Sequence, residues 1–473
     1  MTMPVRTDSA AVPVPTPARP ARSRTKALTM AQKAEIHVSR SLTEGLTEAS
    51  PSQLAELAAT LPQHVWFASA APAAEDGDAP EPTFTWPLHG AYSHKGKVAT
   101  GTAHVHLAPG HRNLERPLIL ADGFDYGPSN LPGLWKHFDA AEGGHFLTRL
   151  GEAGIDVILL GFEERHTYIQ ANAGVATACI HRAIAEQVGN APLAVGGVSM
   201  GGMITRYALA RMEAEEVDHR TGIYFSWDTP HNGAWIPLIL QQMAYFFEDF
   251  TPAEPDRPKQ AELIRSEAAQ QLLWAWVENS KYEGPVATAS QLRTDFLAEL
   301  AGYGSFPARP LKLGVANGHG EGVGLKLTPG EIAFDWKDRY NTASATARVQ
   351  PDKGVKQPIG GMHIALTVRR SSTTAVPALD GAPGGTLPSF GLVAKALGIE
   401  VDERFTNTCF VPGVSAVALD FDPAVWDVDL ETDLTSVDPG RVALDDFLCD
   451  TENSPHSAPR RALTDWLFDH VTR

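Results

Sequence analysis

Cysteine is scarce in this chain, positive charge is in the minority, and no apolar run is long. The three cysteines, Cys179, Cys409 and Cys449, are too few and too scattered for a disulfide framework or a zinc knuckle. Reduced buried thiols are expected, with a single bridge as the alternative. No stretch nears the roughly 20 apolar residues that cross a bilayer, so no integral membrane segment is expected. Lys and Arg number 39 against 56 Asp and Glu, a formal charge of −17. Phosphate recognition needs clustered cations, so this balance argues against a nucleic-acid or anionic-membrane partner. The N-terminal stretch Met1 to Lys26 carries four arginines and five prolines but not the apolar h-region of a secretory signal. A cytoplasmic location is the default expectation, with export by a signal-less route left open.

What is present fits a soluble globular protein, with 43% hydrophobic and 20% charged residues. Residues 1–26 are Pro/Ala/Arg-rich and read as a disordered tail. Residues 27–82 read as a helical extension and linker. Helix-like pieces lie near Met30 to Leu46 and from Pro51 to Leu61, the second opened by Ser50 as an N-cap. Residues 83–473 are expected to form one α/β domain with an insertion at about 234–310.

Within that domain, Thr85 to Tyr92 and Lys97 to Leu107 read as a strand pair. His104 and His106 share one face of the second strand. A metal pair there lacks a third ligand at suitable spacing, so a solvated strand face is the plainer reading, and no metal or cofactor is expected. Pro117 to Ala121, Ile155 to Gly161, Leu193 to Gly197 and Gly222 to Trp227 are short apolar runs. Helical stripes such as Ala176, Ile180, Ile184 and Val188 lie between them. This alternation predicts a mostly parallel sheet wrapped by helices. It stops after Gly233. Trp235 to Phe250 and Leu263 to Tyr282 read as two helices of an inserted lid, whose Phe246, Phe247, Trp274 and Trp276 are candidates for binding a hydrophobic acyl group. Leu311 to Ala316 resumes the sheet, Arg339 to Arg370 reads as an antiparallel β excursion, and an amphipathic helix closes the chain.

The stretch Gly197-Val198-Ser199-Met200-Gly201 sits between a strand and a helix. A serine on such a turn adopts a strained backbone and projects its hydroxyl clear of the sheet, so the residues two before and two after it must be small. Gly197 and Gly201 meet that demand. The helix that follows aims its positive end at the serine, where an oxyanion would develop. Ser199 is therefore the candidate nucleophile.

A serine nucleophile needs a base, an acid that orients the base, and donors for an oxyanion. The order nucleophile, acid, histidine selects a base far downstream. His456, in a polar turn-rich loop before the last helix, fits best. His363 in a strand-like run, His319 in a glycine-rich loop and His470 on a helix stripe are each explained as well by structure. The usual place for the acid, after Leu311 to Ala316, holds Asn317-Gly318-His319. Asp228, at the end of the strand after the Ser199 helix, is the favoured acid. Asp420, Asp422, Asp446 and Glu321 remain alternatives. The backbone N–H groups of Met200 and Phe124 are the expected oxyanion donors.

With LILADGFD, GVSMGGMITRYAL and WDTPHNG, the chain resembles α/β-hydrolases of the serine esterase/lipase type, in particular a bacterial group, over about Pro117 to Leu240 and more loosely near His456. The resemblance implies an α/β-hydrolase fold, ester cleavage and a hydrophobic ester or acyl substrate, and makes Pro230, His231 and Gly233 structural. The chain departs from the pattern at Asp122, where many lipases carry histidine, and in the missing carboxylate after Ala316. An amidase or peptidase, a polyester depolymerase or thioesterase, and a non-enzymatic binding protein are the other readings.

Overall fold

A strand covered by helices on both faces has no solvent side, so its sequence loses the polar alternation of a surface strand. Pro117–Ala121 and Asp156–Phe162 are buried at every position for this reason. The computed structural model describes residues 37–39, 79–248, 260–280, 289–338, 341–354, 356–374 and 376–473. The expected tail over 1–26, the helix from Pro51 to Leu61 and most of the linker lie outside them. The piece near Met30 to Leu46 is described only at His37–Ser39. These residues form a short strand, β1, in place of the expected helix, because they pair antiparallel with a later strand of the chain.

Eight strands form the central sheet. In chain order they are β2 (Phe84–His89), β3 (Thr100–His106), β4 (Pro117–Ala121), β5 (Asp156–Phe162), β6 (Leu193–Val198), β7 (Thr221–Trp227), β8 (Leu311–His319) and, after the second sheet and a further hairpin, a closing strand at Asp446–Asp450. Their spatial order is closing strand, β8, β7, β6, β4, β5, β3, β2. All neighbouring pairs are parallel except β2 with β3 and β3 with β5. The fold is thus mixed α/β with a mostly parallel central sheet.

The two-residue period of a strand sorts β4 between two cores. Ile119 and Ala121 face helices α3 (Ile169–Glu186) and α4 (Met200–Ala214), with Ile158, Val195 and Tyr224 beside them. Leu118 and Leu120 face α1 (Leu131–Phe138), α2 (Phe146–Glu152) and the terminal helix Arg461–Thr472, with Val157, Leu159, Phe225 and Val315.

Between β7 and β8 the chain runs through helices α5 (Leu238–Glu248), α6 (Gln260–Arg265), α7 (Glu267–Leu272) and α8 (Gln291–Gly302). The helix expected over Leu263 to Tyr282 is broken at Ser266, which caps α7, and ends at Leu272. Beyond it the backbone is extended. Leu273 bridges Ala234, whose N–H and carbonyl bond Leu272 and Trp274. Strand-like pairing with the segment after β7 replaces helical bonds there.

Strands β9 (Ile332–Lys337), β10 (Ala343–Arg348), β11 (Gln357–Ile364) and β12 (Thr367–Thr373) form an antiparallel second sheet, with β1 at its edge. A hairpin of β13 (Gly384–Leu387) and β14 (Thr408–Pro412) follows. The apolar face of the second sheet packs on α5. Among the described residues no helix is long and apolar enough to cross a membrane.

Asp380 joins these layers. Its carboxylate accepts Trp235 Nε1–H at 2.6 Å and the N–H of Gln350 at 2.6 Å, and burial pushes its pKa up to about 6 from 3.8. The folded state therefore holds a proton that the unfolded chain has released between about pH 4 and 6, so this group's contribution to stability falls as pH rises through that window. Asp380→Asn is expected to remove this slope. Urea unfolding of both proteins at pH 4.5 and 6.5 tests it, and an identical pH difference in the two would refute the assignment.

Candidate active site

The parallel strands bring their carboxyl ends to one edge, where open α/β sheets carry their sites. Register pairs Ala121 with Gly197 and Val198 with Trp227, so the loops after β4, β6 and β7 leave the sheet side by side. Ser199 follows β6 and stands at the N-cap position of α4 with φ 52° and ψ −124°, a positive-φ backbone that a serine holds only when its surroundings fix it. Its N–H donates to Trp227 O at 2.8 Å. The turn is tight enough to exclude side chains. A Cβ on Gly197 would stand 2.3 Å from the Gly201 carbonyl carbon, and one on Gly201 would stand 2.2 Å from Ala121 O. Met200 opens α4, where backbone N–H groups have no helical partner.

Asp228 follows β7 with φ 45° and no exposure. Its N–H extends the ladder to Val315 O, its Oδ1 accepts the N–H of Asn317 at 3.1 Å, and its Oδ2 lies 2.6 Å from His456 Nδ1. The structure thus brings together two of the three expected side chains by direct contact. Nδ1–H donates to the carboxylate, which leaves Nε2 as the acceptor nitrogen. That Nε2 is buried and has no hydrogen-bond partner among the described residues. Phe410 meets the imidazole edge-on at 4.8 Å between ring centroids.

The alternative acids lie elsewhere. Asp446 begins the closing strand, at its amino end, and faces His470 at 3.5 Å. Asp420, Asp422 and Glu321 are exposed. Among the other histidines, His319 Nδ1 accepts the N–H of Glu321, and His363 Nε2 donates to Ala365 O. His231 is buried between Arg206 and Ser226, at 3.2 and 3.1 Å. Burial and the Arg206 charge hold it neutral, far below its ordinary pKa. His104 and His106 lie 6.5 Å apart by ring centroid, and His106 packs on Trp135. Among the described residues no group of three or more His, Cys, Asp or Glu is placed to hold a metal ion.

Three residues that the sequence did not single out shape this edge. Arg165, in the loop after β5, reaches Asp122 and Asp125 at 3.4 Å each and donates to the carbonyls of Gly127 and Tyr126, so one buried guanidinium gathers the loop that carries Phe124. Burial raises the Asp122 pKa while Arg165 opposes the rise. His137, on α1, donates Nε2–H to Ser457 O at 2.7 Å, and burial pushes its pKa down to about 4, so it stays neutral. Asn317 bridges Asp228 and the His456 loop. Arg165 follows a strand, His137 lies on a helix and Asn317 lies near the end of β8, positions that many residues share and that gave no signal in the sequence.

A narrow apolar cleft opens beside these residues. Phe124 and Phe410 form one side. Leu263, Ile264, Leu272 and Leu273 from the α6–α7 region form another, and every lining side chain is apolar. The expected aromatics are placed differently. Phe246, Phe247 and Trp274 are buried in the core against the second sheet, and Trp276 packs on it half-buried, its Nε1–H donated to Ile264 O. The large rings of α5 and of the segment after Leu272 pack into the core against the second sheet, and aliphatic groups with Phe124 and Phe410 shape the cleft.

No family model matches the chain, and no curated protein matches it. Among solved structures it is similar to Est1E from Butyrivibrio proteoclasticus, at 14% identity over 30% of this chain and 51% of that one, with a TM-score of 0.22. It is also similar to the mature lipase BlEst2 of Bacillus licheniformis, at 13% identity over 51% and 74% of the two chains, TM-score 0.26. A hyperthermophilic esterase from the archaeon Pyrobaculum calidifontis gives 12% identity over 49% and 75%, TM-score 0.26. The chain spans about half the length of the first of these. Scores this low carry no argument about activity.

The Arg165–Asp122 pair is open to test. Removing one partner of a buried pair leaves an uncompensated charge, so Arg165→Ala is expected to cost about 3 kcal/mol in urea unfolding, with part of it recovered by adding Asp122→Asn. A loss below about 0.5 kcal/mol would show that the guanidinium does not hold this loop.

Proposed function

We propose that this chain is a carboxylic-ester hydrolase of the α/β-hydrolase type that works through an acyl-enzyme on Ser199. The observation that carries the reading is the His456 imidazole, locked through Nδ1 to a fully buried Asp228 while its buried Nε2 has no hydrogen-bond partner among the described residues. An imidazole oriented by a carboxylate on Nδ1, with Nε2 buried at the sheet edge that carries the serine, is arranged as a general base. The strained Ser199 turn on the adjacent strand end supports the serine as the proton donor to that base. The strand order of the central sheet, with the first two strands antiparallel at one edge, supports the fold assignment.

In this mechanism His456 Nε2 takes the Ser199 proton as Oγ attacks the ester carbonyl. The backbone N–H groups of Met200 and Phe124 stabilise the oxyanion. Nε2–H then protonates the leaving alcohol as the carbon–oxygen bond breaks. Water, deprotonated by the same nitrogen, releases the acid and restores the serine. Asp228 holds the tautomer and stabilises the transient imidazolium.

The cleft is the acyl site in this reading. With no polar lining group, it favours an uncharged aliphatic acyl chain. Leu263, Ile264, Leu272, Leu273, Phe124 and Phe410 take the substrate-binding role first expected of Phe246, Phe247, Trp274 and Trp276. The helices between β7 and β8 serve as the cap that carries one wall.

Ser199→Ala is expected to lower turnover of a p-nitrophenyl ester by about four to six orders of magnitude, and Asp228→Asn by about three to four. Retention of more than a few per cent of activity by the serine variant would falsify the proposal. Leu272→Trp is expected to shift the preferred acyl chain to shorter esters. An unchanged chain-length profile would remove the cleft from the acyl site.

A further inference from the structure

Near its carboxyl end β8 passes between the Asp228 carboxylate and the His456 loop, and the residue at that meeting point is Asn317. It has no solvent exposure. Its backbone N–H donates to Asp228 Oδ1 at 3.1 Å, its side-chain amide donates to Ala458 O at 2.8 Å, and its carbonyl accepts the N–H of Ser454 at 2.9 Å. One residue thus occupies the carboxylate oxygen that His456 does not use. It also grips the base's loop two residues before and two residues after the imidazole.

We infer that Asn317 is a positioning residue for the Asp228–His456 pair, clamping the loop of the base to the strand of the acid. The inference rests on the ester-hydrolase reading above. The chemistry of the position favours an amide. A carboxylate is acceptor-only when ionised, so it could not donate to the Ala458 carbonyl, and it would set a second buried negative charge beside Asp228.

The loop needs such a clamp. Ser457, directly after the imidazole, stands at φ 66°, a region that a serine keeps only when neighbours over-determine it. The successive carbonyls of Ser457 and Ala458 are held by His137 Nε2 and Asn317 Nδ2. Without the amide, the buried Ala458 carbonyl keeps only the local N–H of Arg460, two residues on, at 2.9 Å and loses the one donor that ties it, through Asn317, to the acid, so the turn is free to shift. A shift of the turn rotates the imidazole away from the carboxylate. A displacement of this kind acts on turnover more than on substrate binding, because the cleft is built from other segments.

The test compares Asn317→Ala and Asn317→Asp with the parent protein. Five quantities are read: kcat and KM on a p-nitrophenyl ester, the rate of Ser199 labelling by a fluorophosphonate, circular dichroism, and the His456 Nδ1 proton resonance, expected far downfield, in the NMR spectrum. Both variants are expected to fold and to keep KM within about twofold, while kcat and labelling fall roughly 10- to 100-fold and the Nδ1 resonance is lost or broadened. A kcat within about twofold of the parent, or a resonance left intact, overturns the inference. So does failure of both variants to fold, which would make Asn317 a residue of stability. An inactive parent, or a Ser199→Ala protein as active as the parent, refutes the ester-hydrolase reading instead, and the Nδ1 resonance then still decides whether Asn317 holds the pair.

Discussion

The buried contact between Asp228 Oδ2 and His456 Nδ1 constrains the whole carboxyl edge of the sheet, because it joins residues 228 positions apart and hides a carboxylate from water. An ionised carboxylate in that position costs several kcal/mol unless donors replace its hydration. His456 supplies one donor, and the backbone of Asn317 supplies another. The remaining space is closed by β13, which approaches so near that a Cβ on Gly385 would stand 1.9 Å from Oδ2. The next residue, Thr386, accepts the N–H of His456 and donates its own to Ser454 O. One carboxylate therefore dictates a glycine on the hairpin, an amide at the end of β8 and the path of the terminal loop.

The hairpin reaches this point because the second sheet and α5 give it a base. The same cluster that buries Phe246, Phe247 and Trp274 includes Cys409 and Val411 of β14, so the packing of the insertion and the closure over Asp228 form one continuous core. Burial and the nearby carboxylates of Asp228 and Asp380 hold the Cys409 thiol well above its ordinary pKa, which leaves it an inert packing group. The aromatic content of the insertion thus stabilises the frame, and the aliphatic residues that remain shape the cleft.

Much of the central architecture was legible in the chain itself. Continuous apolar runs at β4 to β7, the stripe of α3 through Ala176, Ile180 and Ile184, and the glycines on either side of Ser199 each express a local rule, whereas Val188, read as the last member of that stripe, lies exposed beyond the end of the helix. His456 was legible as a loop histidine before a terminal helix, and Asp228 as a carboxylate at a strand end. Other elements were hidden for stated reasons. The strand at His37–Ser39 exists through pairing with β12, and the extended segment after Leu272 through pairing with Ala234. Both depend on partners far along the chain.

The sequence by itself determined the strained serine turn, the parallel core and the absence of bulk at Gly197 and Gly201, because these follow from periodicity and sterics within a few residues. Only the tertiary structure decided which carboxylate meets His456, which side chains line the cleft, and that Asn317, Arg165 and His137 hold the loops in place. Those choices are made by side chains and backbone groups arriving from separate segments of the chain. Hydrogen bonds between such groups leave no trace in residue spacing.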